Sequence, residues 1–415
     1  MKHLLKIISS LTILSTGVLA VSCTRRIDNK DIKNNISREN KDKNKDSENI
    51  SQDDPNVLPK IEITEEEKKA AIDTLKKVFK QQEDAFGTFH TYQDVVNQLK
   101  VYLGDFNVKH LEYLKLTNES EKDTQLKVDS GNQKANKIDV TYFDKQDTLI
   151  PKTVLENKVQ AKYNNNNNEL IQIGYEQDKT IKSIKLTKVN KETIKVPKHL
   201  PLKITSLDES FKELKSSMVD NLDKWDIKNI KYLTKTFNDA KEFNQNLTSW
   251  DVSNVLDMTE MFAGATKFNQ DLNSWDTSKV EDMVGLFWEA EEFNGNISNW
   301  NVKNVENMSS MFSGAKKFNQ NLDKWDTSNV LSMEGMFSHT DVFNGKISNW
   351  DTSKVATMKQ MFEGAKAFNQ SLESWNVSNV GRAEDFRKGA EKNIIDEYLP
   401  KFKEEILKIL KINRK

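Results

Sequence analysis

A row of oxygen-bearing side chains, Asp226, Asp251, Asp276, Asn301, Asp326, Asp351 and Asn376, recurs every 25 residues, and a row so regular admits two chemistries. Oxygen ligands at fixed spacing can hold a hard cation, whereas Asp and Asn in turns accept hydrogen bonds from nearby backbone amides. No glycine-rich calcium loop accompanies the row, so the turn chemistry is expected and no metal site is assigned. A second row, Asn244, Asn269, Asn294, Asn319, Asn344 and Asn369, is expected to join successive repeats through an internal ladder of side-chain amides. The five histidines, His3, His90, His110, His199 and His339, are scattered, and neither His90 nor His110 has a second ligand at metal spacing. His339, in FSHTDVF, stands where other repeats carry glycine. There is no HExxH, GxSxG, P-loop or Rossmann glycine pattern and no nucleophile with a partner base. A non-enzymatic protein with no cofactor and no small-molecule substrate is therefore expected.

Cys23 is the one residue whose position specifies a reaction. As the only cysteine it has no internal disulfide partner. Lys2 and Lys6 precede the apolar run Ile7 to Val21, and Leu19-Ala20-Val21-Ser22 leads into it. That run is short for a membrane span and reads as a secretory signal. The pattern resembles a bacterial lipobox, with Ala20 where leucine is most common. The resemblance implies that the Cys23 thiol receives a diacylglycerol and becomes the new N-terminus. Residues 1–22 are then the signal peptide, and 23–60, rich in Asn, Asp, Lys, Ser and Glu, a disordered polar tether. Its reach is roughly 30 to 35 Å.

Thirty per cent charged residues, a net charge of -1 and a mean hydropathy of -0.72 describe a soluble ectodomain and argue against a nucleic-acid partner. Residues 61–120 read as helical, opening with Thr64 and Glu67 as a capping box and interrupted at Gly87. Residues 121–205 alternate with a period near two and read as a small β-rich region. In it Ile138, Val140 and Tyr142, then Leu170 to Tyr175, then Ile181 to Val189, then Ile194 and Val196 give strands, and Asn164 to Asn168 give a hairpin loop.

Residues 206–390 are organised by Trp225, Trp250, Trp275, Trp300, Trp325, Trp350 and Trp375, each 25 residues from the last. Such a period means stacked coils in which no single coil can bury its apolar side alone. Val255, Met258, Met261, Phe262 and Ala265 are spaced like one face of a short helix, with Ser253 as N-cap and Gly264 as terminator. Phe243, Asn244, Leu247 and Trp250 read as an extended segment. The expected fold is thus an α/β repeat solenoid, one short strand and one short helix per coil, preceded by a small α+β region and the tether. Residues 391–415 are expected to close it as an amphipathic capping helix through Ile394, Leu399, Phe402, Ile406 and Leu410. The tryptophan column is expected to be core. Trp288 stands outside it, where other repeats have Ala263, Ser313, Ser338 or Glu363, and is the candidate ligand contact.

WDTSNV, MFSGA and FNQNL at this period resemble the repeats of mycoplasma surface lipoproteins of the BspA-like leucine-rich-repeat class, over about Asn221 to Val380. The resemblance implies a leucine-rich-repeat-like fold and attachment by an N-terminal lipid anchor to the outer face of the cell membrane. It also implies adhesion to a host extracellular-matrix or cell-surface protein. The alternative is a surface-coat and antigenic lipoprotein with no dedicated ligand.

Overall fold

Thr64 caps the first helix in the way its sequence dictates: its hydroxyl accepts from the Glu67 N–H at 3.1 Å while the Glu67 carboxylate accepts from the Thr64 N–H at 2.9 Å. This reciprocal cap starts α1 (Glu65–Gln82), which buries Ala71, Ile72, Leu75, Val78 and Phe79 on one face. Thr91 and Asp94 repeat the device at α2 (Tyr92–Gly104), and Gly87 lies in the short strand β1 (Phe86–Gly87) between the two helices. The computed structural model describes residues 62–411 apart from 132, 179 and 181. The signal segment, Cys23, the tether, Ile181 and residues 412–415 lie outside the described residues.

Short strands follow: β2 (Leu114–Leu116), β3 (Ile138–Tyr142), β4 (Lys145–Leu149), β5 (Val154–Leu155), β6 (Lys158–Val159), β7 (Lys162–Tyr163), β8 (Leu170–Gln172), β9 (Tyr175–Gln177) and β10 (Ile184–Leu186). They make a three-stranded sheet β2-β3-β4, a five-stranded sheet β1-β5-β6-β9-β10 and the hairpin β7-β8, whose loop is the asparagine run. Ile194 and Val196 form no strand; Lys195 between them makes isolated bridges to Glu169 and Asp220. The first sheet and the two helices share one core, while a second core runs without a break from Val159 and Tyr175 to Ile406.

The expected helix in every coil is not there. Among the described residues the α-helices are α1, α2 and α3 (Glu404–Ile409), of 18, 13 and 6 residues, and residues 206–390 hold none. The fold is mainly β, and the α/β, leucine-rich-repeat-like class is corrected accordingly. The coils do stack. A ladder of parallel bridges leaves β10 at Lys185 and passes through Ser206, Tyr232, Asp257, Asp282, Asn307, Ser332 and Thr357 to Arg382.

The hydrogen bonds explain what replaces the helix. In the coil at Met258, the N–H groups of Met258, Glu260, Phe262 and Gly264 donate to carbonyls of the next coil, those of Asp282, Val284, Leu286 and Trp288. The interleaved N–H groups of Met261, Ala263 and Ala265 close tight turns onto Met258, Glu260 and Phe262. A helix would spend every amide inside its own coil; alternation leaves every second amide to tie neighbouring coils together. Two residues per coil have left-handed backbone, for example Glu260 (φ 50°) with Gly264 (φ 69°) and Gly285 (φ 57°) with Glu289 (φ 54°), and these reverse the chain between turns. Three-residue turns return Val255, Met258, Met261 and Phe262 to one side as a helix would, so the apolar spacing fits either structure.

Coils alternate in kind. Gln270 and Gln320 donate through Nε2 to the backbone carbonyls of Asn244 and Asn294, whereas the coils between have Gly295 and Gly345 at that position. A Cβ on Gly295 would stand 2.0 Å from the Gln270 carbonyl oxygen, so only glycine allows this approach. From Gln270 to Gln370 the two kinds of coil alternate, whereas Gln245 and Gln270 stand on consecutive coils of the same kind.

The C-terminal segment also differs from expectation. Pro400 interrupts the amphipathic pattern, and the helix is confined to Glu404–Ile409. Ile394, Leu399, Phe402 and Ile406 nonetheless join the core, Phe402 lying edge-on to Phe386 at 5.4 Å.

Candidate interaction surface

The repeated chemical groups are all spent on the stack itself. The seven column tryptophans are 2–3% exposed, and from Trp275 to Trp375 successive rings lie nearly parallel at 6.1–6.4 Å. Each indole N–H donates to a backbone carbonyl: Trp225 to Pro197, and the others to the leucine or isoleucine 28 residues earlier, at 2.8–3.2 Å. Each carboxylate or carboxamide of the Asp/Asn row accepts from the N–H two residues on, as Asp251 does from Ser253 at 3.0 Å. The Ser253 hydroxyl and amide hold Asp251 below the usual carboxylate range, and Ser328 and Ser353 do the same to Asp326 and Asp351. This is turn chemistry.

The asparagine row forms a ladder, but not the internal amide-to-amide ladder expected. Each side-chain carbonyl accepts from the backbone N–H of the next asparagine, at 2.8–3.2 Å, and the row faces solvent. The histidines stay apart. His90 is buried, His110 pairs with Glu112, His199 pairs with Asp105, and His339 takes one of the left-handed turn positions; His3 lies outside the described residues. Among the described residues no group of three or more His, Cys, Asp or Glu is placed to hold a metal.

Trp288 breaks this economy. It is 43% exposed, and among the described residues its indole N–H has no acceptor and its ring no aromatic neighbour. The neighbouring coils put Ala263 with Gly264, and Ser313 with Gly314, in its column and the next, so the residues of these columns on either side are small. Glu260 of the preceding coil lies on the same turn, its Cγ and the Trp288 Cβ both within van der Waals reach of a Cβ built at Gly285. A large apolar ring with one free donor is suited to seat a partner's apolar group and one acceptor.

A family described as "Mycoplasma protein of unknown function, DUF285" matches residues 205–322 and again 295–398. The chain is similar to mycoplasma proteins of unknown function. Taken together the two overlapping matches run from 205, beside Ser206 on the ladder, to 398, past its last bridge at Arg382. No curated protein and no solved structure matches the chain.

Proposed function

We propose that this is a lipid-anchored surface protein that binds a protein partner, with Trp288 at the centre of the contact, and that it catalyses nothing. Cys23, in its lipobox-like setting, supplies the anchor, and the tether holds the folded part clear of the outer face of the cell membrane. No helix among the described residues is long and apolar enough to cross a membrane. The partner is a host matrix or cell-surface protein. The single observation that carries the reading is the contrast between one exposed tryptophan and seven buried ones on the same scaffold.

The test is binding of the full chain and of its Trp288→Ala variant to host cells and to immobilised matrix and plasma proteins. Saturable binding is expected, weakened about 30-fold or more in the variant, as for a central aromatic hot spot worth at least about 2 kcal/mol. Equal binding by both proteins would remove Trp288 from the contact. Absence of saturable binding by the unsubstituted chain would leave the coat and antigenic reading, which the near-identical coils favour.

A further inference from the structure

A groove of about 670 Å³ runs along the side of the stack where the β region passes into the first coils. Five lysines line it, Lys182, Lys203, Lys228, Lys231 and Lys279, and no carboxylate does. The ladder explains how residues so far apart in sequence come together. Lys231 donates its N–H to Thr205 O, Leu256 to Lys231 O and Glu281 to Leu256 O, so successive coils set these positions side by side. Asn229, Asn254 and Lys279 form the adjacent column at the same 25-residue spacing. The basic stretch is finite, because the first column continues as Glu281 and Glu306.

Local partners neutralise only part of this charge. Lys203 pairs with Asp94 at 2.6 Å, Lys228 with Asp226 at 2.7 Å, Lys279 donates to the side-chain Oδ1 of Asn254 at 2.5 Å, and the Asp251 carboxylate acts on both Lys228 and Lys279. Among the described residues Lys182 and Lys231 have no ion-pair partner, and both are exposed. Ammonium groups left this close without counter-charges repel one another and attract a multivalent anion.

We propose that this groove binds a sulfated glycan chain lying along the stack axis. The ammonium groups take the sulfates, and the groove also offers hydroxyl-reading groups a bare anion would not need. Asn229 donates through Nδ2 to Leu202 O, which fixes the amide and leaves its carbonyl oxygen for a sugar hydroxyl. The Thr205 hydroxyl oxygen accepts from the Ile184 N–H at 3.0 Å, which leaves its proton to donate. Single-stranded nucleic acid is disfavoured because no aromatic residue lines the groove to stack on a base. A bilayer is disfavoured because its flat surface cannot follow lysines recessed in a groove, whereas a single chain can lie along them. The site is separate from Trp288 and does not rest on the function assigned to it.

The test uses the full chain with immobilised heparin as probe, and desulfated heparin, single-stranded oligo(dA) and phosphatidylserine vesicles as competitors. Binding to heparin is expected to fall steeply with salt and to resist all three competitors. Lys231→Gln and Lys182→Gln are each expected to weaken it roughly 2- to 5-fold, the range of an exposed ion pair, and the double variant by their product. Both side chains are exposed, so an unchanged melting curve confirms that the fold is intact, and Trp288→Ala should bind heparin as the unsubstituted chain does. Equal affinity for desulfated heparin, unchanged binding by the double variant, or displacement by oligo(dA) or vesicles would each overturn the assignment.

Discussion

Trp300→Ala lowers the stability of the folded chain by about 3 to 5 kcal/mol, the cost of a large buried ring replaced by a cavity. The ring lies between Trp275 at 6.3 Å and Trp325 at 6.4 Å and touches Phe287 of its own coil's apolar side at 6.2 Å. Its indole N–H also donates to Leu272 O at 2.9 Å, a bond into the preceding coil. Removal therefore weakens two coil interfaces at once, and in a stack each interface depends on its neighbours. Trp300→Phe keeps most of the packing and loses the bond, so it should cost less. Trp288→Ala, at an exposed site, should stay within about 0.5 kcal/mol of the unsubstituted chain. Urea unfolding of the three variants checks the order; equal midpoints for Trp300→Ala and Trp288→Ala would refute a buried column.

A second large effect resides in His90. The side chain is 3% exposed. Its Nδ1 accepts from the Gly87 N–H at 3.1 Å, and its Nε2 lies 3.2 Å from the Tyr175 hydroxyl, which itself donates to Ala85 O at 2.8 Å. The Gly87 carbonyl oxygen lies 3.1 Å from the same Nδ1, and this set of contacts satisfies a neutral ring with one nitrogen protonated. Burial pushes the histidine down to about 4, with the hydrogen bond to the Gly87 backbone and the Asp94 charge opposing and Lys203 adding to the shift. Unfolded, the same histidine would titrate near 6.5. Between these values the unfolded chain takes up a proton that the folded chain refuses. The stability that neutral His90 supplies is complete above pH 6.5 and is lost as pH falls toward 4, by about 3 kcal/mol in all. His90→Gln should remove this portion of the acid dependence. Chemical unfolding at pH 7.5, 6, 5 and 4.5 reads it, and parallel stability curves for the two proteins would show that His90 is not the group responsible.

The period, the stacking and the burial of the tryptophans were legible because 25-residue spacing leaves few alternatives to stacked coils. The N-caps at Thr64 and the asparagine hairpin were legible because their chemistry is local. The conformation inside a coil was misread, since residues three apart share a side in both a helix and a run of tight turns. The deciding signal was glycine placement: Gly264 and Gly314 occupy one left-handed position and Gly285 and Gly335 the other, in alternate coils. One helix end per coil needs a single such column; two columns four residues apart rule a helix out. Equivalent positions on successive coils point to an amide ladder, but Asn269 and its equivalents follow a buried phenylalanine and so face outward. The lysine groove was invisible for another reason. Lys182, Lys203, Lys231 and Lys279 share no motif, and only the register of the coils brings them together.

Quenching of intrinsic fluorescence by acrylamide in the unsubstituted chain and in Trp288→Ala tests directly whether the repeated tryptophans are scaffold and Trp288 is surface. One of the eight tryptophans should be readily quenched, and the variant should lose that class while the remaining seven stay protected. Substantial quenching that persists in Trp288→Ala would place column tryptophans in solvent and contradict the account.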